Sequence, residues 1–516
     1  MDKRKIEAAH NRATLLGLIR ALFIGTITGL VVSVFRLSIQ KLLGFVTDCF
    51  AFFHHRPLYL IPWTIGLVLL GLALGVMSQR HPNIKGSGIP QVEGQLTGEF
   101  DEKWWPVLWR KFVGGILGIG SGLYLGREGP SIQLGATIGQ GVEETLGSDE
   151  IQRRVGIASG AAAGLSAAFN APVASTMFVI EEVYHNFSPL IWIAAFVSAL
   201  ASNMVSVQFF GLVPDLNVPH ETYLPLDHYW QLVVLGLILG LLGRLYQIVI
   251  LHLDQWTSKL KWLPKYAYPV IPMILLVPVA WFWPVTLGGG NRLVTSLQYM
   301  QPTIWLFIGL FVLRFVFSMI SYSSQLPGGI FLPILTLGAT VGAAFCVGMH
   351  MIGLDDLKYL PDFIIYAMAG YFACISKAPF TAILLITEMV GTLAHLMPLA
   401  IVSMVAYLVV DQLHGAPVYR AMFLAFIGKH PQDAVKCTTN VTVSVYAGSK
   451  MDGMQIKDVN WPQHTLVTAV YRGDERPVPR GSLRLRAGDT LVVAIGPQHF
   501  TQDRQLIYAA AHHPSA

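Results

Sequence analysis

Charge is scarce in this sequence of 516 residues: Asp, Glu, Lys and Arg make up 13% of it, against 53% hydrophobic residues, and the mean hydropathy is +0.54. A chain so poor in charge cannot cover itself with water-soluble surface, so the bilayer is its main solvent. Cysteine is scarce as well. Cys49, Cys346, Cys374 and Cys437 lie far apart without a close pair, which argues against a disulfide framework or a zinc site and leaves packing residues or exposed thiols. The net charge of +5 is modest and cytoplasmic loops account for it, so nucleic acid is not an expected partner. No nucleophile–base constellation and no Walker-type loop occur, so neither hydrolysis nor ATP-driven transport is supported and no enzyme is expected. His54-His55 and His512-His513 have no partner ligands for a metal. The glycines of "GIGSGLYLG" (118–126) sit in an apolar segment without a βαβ pattern, which fits close helix packing better than a dinucleotide site.

What is abundant is apolar sequence. Segments near 13–35, 58–77, 188–213, 229–251 and 267–283 approach the ~20 apolar residues of a spanning helix, and further runs cover 303–322, 330–353 and 362–411. Ten or more membrane segments are expected. The start, "MDKRKIEAAHNR", is too polar for a cleavable signal. Lys3, Arg4, Lys5 and Arg12 place the N-terminus in the cytoplasm by the positive-inside rule, and Trp104-Trp105 suits an interfacial belt. From about Ile427 the composition changes, with a linker over 427–440. A small cytoplasmic α+β domain is expected over 441–516, where Val441, Val443 and Val445 alternate, "TLVTAVYR" is β-rich, "RGDERP" is a turn, and "TLVVAI" follows Gly488-Asp489.

Two echoes divide the membrane part, residues 1–426. "P-x-x-x-L-G-A-T-x-G" runs from Pro130 to Gly139 and again from Pro333 to Gly342, and "NAPVASTMFVIEE" from Asn170 parallels "KAPFTAILLITEM" from Lys377, which sets Glu181 opposite Glu388. Two matches at nearly one offset indicate a duplication, and transporters built from two halves keep their site where the halves meet. "GSGIP" (86–90), "GREGP" (126–130) and "PGGIFLP" (327–333) each set glycines and a proline ahead of an apolar stretch, the pattern of a broken helix that begins inside the membrane. Each such start directs free N–H groups and about half a positive charge at what lies before it. Three starts that converge make an anion site.

Glu128 competes with an anion for those donors, so it reads as a gate that protonation removes, and an ionisable residue at membrane depth is a functional candidate by default. Glu181 and Glu182, at the end of "STMFVIEE", could relay protons. Blander roles stand beside these: an Arg127–Glu128 ion pair, Ser87 as a helix cap, Tyr419 as an interfacial anchor, and Glu182 at a helix end near the headgroups.

With "GSGIP", "GREGP", "GGIFLP" and "GAPVYRAM" in this order over about residues 10 to 425, the chain resembles the CLC chloride channels and chloride/proton antiporters. The resemblance implies an α-helical polytopic membrane protein of the inverted-repeat CLC type with broken helices. It also implies a homodimer, one anion pathway per subunit, and no required cofactor. Carried over, Ser87 and Tyr419 supply hydroxyls to a central chloride, with the backbone amides of Ile330 and Phe331. Glu128 matches the external gating glutamate, near the amides of Arg127 and Gly129. Glu182 matches the internal proton-transfer glutamate, which favours exchange over a passive gated channel. Ser87, with "GSGIP" and "GREGP" both kept, favours chloride over nitrate or fluoride. Glu93 is retained, Gln91 stands where an acid is common, and Glu181 and Glu388 are supporting candidates. The tail, "VYRGDERPVPRGSLRLRAGDTLVVAI", is similar to the TrkA-C subdomain of potassium-transport regulators, including Arg472, Gly481-Ser482 and Gly488-Asp489-Thr490-Leu491. That likeness implies regulation by a small ligand such as a nucleotide, and a bacterial inner membrane with both termini in the cytoplasm.

Overall fold

In the computed structural model, residues 3–184, 189–212, 216, 223–259, 263–428, 439–463, 465–472, 477–495 and 500–512 are described. Most of the expected linker (429–438), Cys437, four residues of the "RGDERP" turn and His513 lie outside them, as do the side chains of Lys3, Arg4, Lys5 and Arg12. The chain divides into two units, Met1–Phe423 and Leu424–Ala516.

The first unit is helical. In chain order it contains α1 (Lys3–His55), α2 (Leu60–Arg80), α3 (Ile89–Thr97), α4 (Trp104–Gly120), α5 (Glu128–Thr145), α6 (Glu150–Phe169), α7 (Pro172–Phe178), α8 (Pro189–Phe210) and α9 (Tyr229–Thr257). There follow α10 (Val270–Phe282), α11 (Asn291–Ser296), α12 (Ile304–Ser323), α13 (Phe331–Met351), α14 (Leu360–Ser376), α15 (Pro379–Val390), α16 (Leu396–Gln412) and the first six residues of α17 (Val418–Phe426).

Eight helical stretches among the described residues are long and apolar enough to cross a membrane, fewer than the ten or more expected. The apolar run 362–411 is the reason: it folds as three helices, of which α15 has 12 residues and α16 has 17, too short at ~1.5 Å per residue to span the ~30 Å core upright. The opposite difference occurs at the start. An apolar run expected over 13–35 belongs to one helix that continues to His55, because no proline interrupts the chain before Pro57 and Lys41 and Asp48 do not break a helix. Its apolar part, Leu15–His55, rises ~60 Å and cannot stand upright within the hydrocarbon.

The repeated L-G-A-T-x-G motif acts in helix packing. Gly135 and Gly139 of α5 lie against the backbone of Gly160 and Gly156 on α6, so close that a side chain at either would collide with a carbonyl oxygen. In the second half Gly338 and Gly342 of α13 lie in the same way against Ala367 and Phe363 of α14. Small residues four apart let helix axes approach closely where no water drives them together. Helices α5 and α6 are buried almost throughout and, rich in Gly, Ala and Ser, give little hydropathy signal.

The second unit carries a three-stranded antiparallel sheet of β1 (Thr439–Ser444), β2 (Thr465–Tyr471) and β3 (Thr490–Ile495) in the order β1-β3-β2, followed by α18 (Phe500–His512). Val441, Val443 and Val445 all face its core with Leu491, Val493, Ile507 and Ala511. Arg472, at the end of β2, donates Nε and Nη2 to the two carboxylate oxygens of Asp489 at 2.8 and 2.7 Å, and the Arg486 N–H donates to Asp489 as well, at 2.8 Å. Burial alone would raise the Asp489 carboxyl. The Arg472 and Arg486 hydrogen bonds and charges outweigh it and hold the group below its ordinary value.

Candidate anion and proton site

Helices α3, α5 and α13 all begin inside the first unit, and backbone hydrogen bonds tie the loops ahead of them together. The Gly328 N–H donates to the Gly86 carbonyl at 3.0 Å, while Gly126 and Gly329 exchange N–H and carbonyl in both directions at 2.7 Å. Two of the glycines ahead of α3 need positive φ, Gly86 at 61° and Gly88 at 92°, a region that costs other residues energy. The convergence anticipated from three broken helices is therefore built from glycine backbone.

Around this junction stand the singled-out residues. The first turn of α5 passes over Ser87, so that a methyl group on Gly129 would lie 2.8 Å from the Ser87 carbonyl oxygen and overlap its Oγ. Gly329 approaches the Gly129 N–H. Ser87 is buried and its Oγ has no hydrogen-bond partner among the described residues. Tyr419, in the first turn of α17, is fully buried, and its hydroxyl likewise has no partner among them. Its ring lies 6.1 Å from Phe178, which lies 5.8 Å from Phe331 at the start of α13, so the α17 and α13 starts are joined by aromatic packing. Ile330 is the N-cap of α13, ahead of Phe331.

Glu128 is the first helical residue of α5 and fully buried. Its carboxylate sits beside Gly126, where the Leu332 N–H of α13 also arrives, 3.3 Å from the position of a Gly126 Cβ. The carboxylate of the first half thus stands by the helix start of the second. An ion pair with Arg127 is present too, at 3.7 Å, and Arg127 also donates to the Ala168 carbonyl at 3.4 Å.

Glu181 and Glu182 follow α7 in a π-helical turn, Val179–Tyr184, a local widening that recurs at functional sites. Consecutive helical residues point ~100° apart, and the two acids go different ways. Glu181 accepts the N–H groups of Phe380 (3.2 Å) and Thr381 (2.7 Å) and the Thr381 hydroxyl (2.7 Å), all at the start of α15. Glu388, at the end of α15, returns the contact by accepting from Val173 (3.2 Å) and Ala174 (2.7 Å) at the start of α7. Each half caps a helix of the other, an exchange with two-fold symmetry that engages both candidate acids with backbone. Glu182 is buried, its Oε1 has no hydrogen-bond partner among the described residues, and it lies within electrostatic range of Glu93 and Tyr419. Tyr419 is within range of Glu128 as well.

Glu93 on α3 is fully buried and pairs with Arg420 at 3.3 Å, and Arg420 pairs with Glu99 at 2.9 Å. Gln91, where an acid is common in CLC proteins, donates its amide to the Lys85 carbonyl at 3.1 Å, a bond an ionised acid could not make. Sequence reasoning missed Lys111. Fully buried on α4, it donates to the carbonyls of Ile84 (3.0 Å) and Gly86 (2.8 Å) and so fixes the loop ahead of α3. A lysine inside the apolar stretch "WWPVLWRKFVGG" was the available signal.

The sequence matches the model for voltage gated chloride channels over residues 70–411 and that for the TrkA-C domain over 440–503. The H(+)/Cl(−) exchange transporter ClcA of Vibrio campbellii is 33% identical over 411 residues, covering 78% of this chain and 88% of that protein. ClcA of Salmonella arizonae is 32% identical over 445 residues, covering 84% and 92%. Among solved structures, that of a slow cyanobacterial Cl−/H+ antiporter superposes with a TM-score of 0.76 at 28% identity, covering 80% of this chain and 98% of the other.

Proposed function

The chain belongs to the voltage gated chloride channel family and carries a C-terminal TrkA-C domain, and from that premise we propose that it is a multi-pass membrane transporter that exchanges chloride for protons. The observation that carries this reading is the pair of buried hydroxyls, Ser87 Oγ and Tyr419 OH, each without a hydrogen-bond partner among the described residues, beside helix starts joined through Gly86, Gly126, Gly328 and Gly329. An anion accepts from both hydroxyls and from the amides of Ile330 and Phe331. Each helix start contributes about half a charge, worth ~2 kcal/mol at 4 Å and an effective dielectric of 20. Several such partial charges replace hydration without trapping the ion, as conduction requires.

Glu128 then acts as the gate. Ionised, its carboxylate takes the N–H groups near Arg127, Gly129 and the α13 start that an anion would use. Protonated, it loses that attraction and yields the position. Glu182 carries protons between Glu128 and the cytoplasm. The buried Glu93 and the common range of Glu182 and Tyr419 support a proton branch that meets the anion path at Tyr419. The protein works as a homodimer in a bacterial inner membrane with both termini in the cytoplasm, needs no cofactor, and responds through residues 441–516 to a small ligand such as a nucleotide.

The test uses purified protein in liposomes under a chloride gradient, with chloride and external pH recorded together while a potassium ionophore sets the voltage. Uphill proton movement that Glu182→Gln abolishes is the expected result. Rapid chloride flux without a proton signal would make the protein a passive gated channel.

A further inference from the structure

Tyr322, near the end of α12, stands beside the start of α3. A methyl group on Gly86 would lie 3.0 Å from its hydroxyl, and the Ser87 backbone N–H faces the phenolic oxygen. The hydroxyl donates to the Met422 sulfur on α17 at 3.6 Å. A thioether is a weak acceptor, so this proton is loosely engaged and can turn to a stronger one. Tyr322 also lies within electrostatic range of Tyr419. Two phenols from different helices, α12 and α17, are therefore within range of each other, and the one on α12 meets the backbone of Ser87, whose side-chain oxygen has no hydrogen-bond partner among the described residues.

Resting on the chloride reading above, we infer that Tyr322 is a further anion-binding residue, a second phenol that donates to chloride at the α12 side of Ser87. Its oxygen accepts from the Ser87 N–H when chloride moves on, so that no buried donor is left unpaired, a state that would cost energy. A neutral phenol suits this place, because a full positive charge there would hold the ion too tightly for it to leave.

The experiment is calorimetric titration of chloride into the purified, chloride-depleted full-length protein, alongside flux in liposomes. Tyr322→Phe keeps the ring and removes the donor, and should weaken chloride binding by about three- to tenfold, the scale of one neutral hydrogen bond. Met422→Leu removes the sulfur but keeps the phenol, and should leave affinity within about twofold of wild type or tighten it. Wild-type affinity in Tyr322→Phe would overturn the inference alone, and so would equal losses in both variants, since packing between α12 and α17 would then be the cause. Absence of chloride binding by the wild-type protein would overturn the chloride reading together with it.

Discussion

Residues 128–181 and 331–388 lay out the same devices in the same order. Each stretch begins at a helix start inside the protein, has a proline two residues on (Pro130, Pro333), and presents glycines four apart to the next helix (Gly135 and Gly139, Gly338 and Gly342). Each ends on an acid that caps the other half (Glu181, Glu388). Among the positions at which the halves differ, two in the first half carry buried acids with apolar counterparts at the site. Glu128 stands opposite Phe331, and Glu182 opposite Met389. Positions shared by both halves hold the fold together, since each answers a packing or backbone need that the two-fold arrangement poses twice. Glu128 and Glu182 answer no need that the arrangement poses twice, and they are the two acids proposed to move protons.

Exchanging an unshared acid for its counterpart breaks the comparison most sharply. Glu182→Met makes the first half match the second and is expected to lower proton transport at least ~10-fold while chloride flux continues, a change of ~1.4 kcal/mol or more in the proton step. Loss of both fluxes together would show that Glu182 is structural. A shared glycine should behave in the opposite way. Gly135→Ala drives a methyl group into the Gly160 carbonyl and Gly338→Ala one into Ala367, and overpacking of this kind costs about 1–3 kcal/mol. Thermal unfolding in detergent should drop for both, with the proton-to-chloride ratio of the surviving transporter unchanged.

The shared acids give a smaller and more diagnostic effect. Glu181→Ala and Glu388→Ala each leave two helix-start N–H groups uncapped, a loss of about 0.5–2 kcal/mol. Equal decreases in thermal stability with intact coupling would support the symmetric exchange. Impaired proton transport in Glu181→Ala alone would place that acid in the relay.

The tail provides the mildest test, because its electrostatics lie outside the repeats. Asp489 has a depressed folded-state value, so its contribution is fully present above the unfolded carboxyl value of about 3.9. It is lost as pH falls through the folded value. Hydrogen exchange at β3 amides, corrected for intrinsic pH dependence, should report weaker protection as pH falls below ~4. Asp489→Asn should be less protected at neutral pH and flatter with pH.

Much of this was legible in sequence because its causes are local. Glycine and proline mark where a helix can start, so Gly86–Pro90, Gly126–Pro130 and Pro327–Pro333 announced the three starts, and valine alternation announced β1. Hydropathy failed where helices are covered by protein instead of lipid, as in α5 and α6, and where a polar pair such as Gln40-Lys41 lowers it without ending the helix, as in α1.

By itself the sequence determined the solvent, the break points, the duplication and the set of candidate acids, because composition and backbone preference act over a few residues. The tertiary structure alone decided how each acid is used. Glu181 and Glu182 are neighbours of one chemical type, yet one caps a helix 199 and 200 residues away while the other is buried near Glu93 and Tyr419. Lys111 reaches the Gly86 carbonyl, and Tyr322 reaches Ser87 and Met422, in the same long-range way. Which partner a buried polar group finds depends on where distant helices bring free donors and acceptors, and no local pattern encodes that.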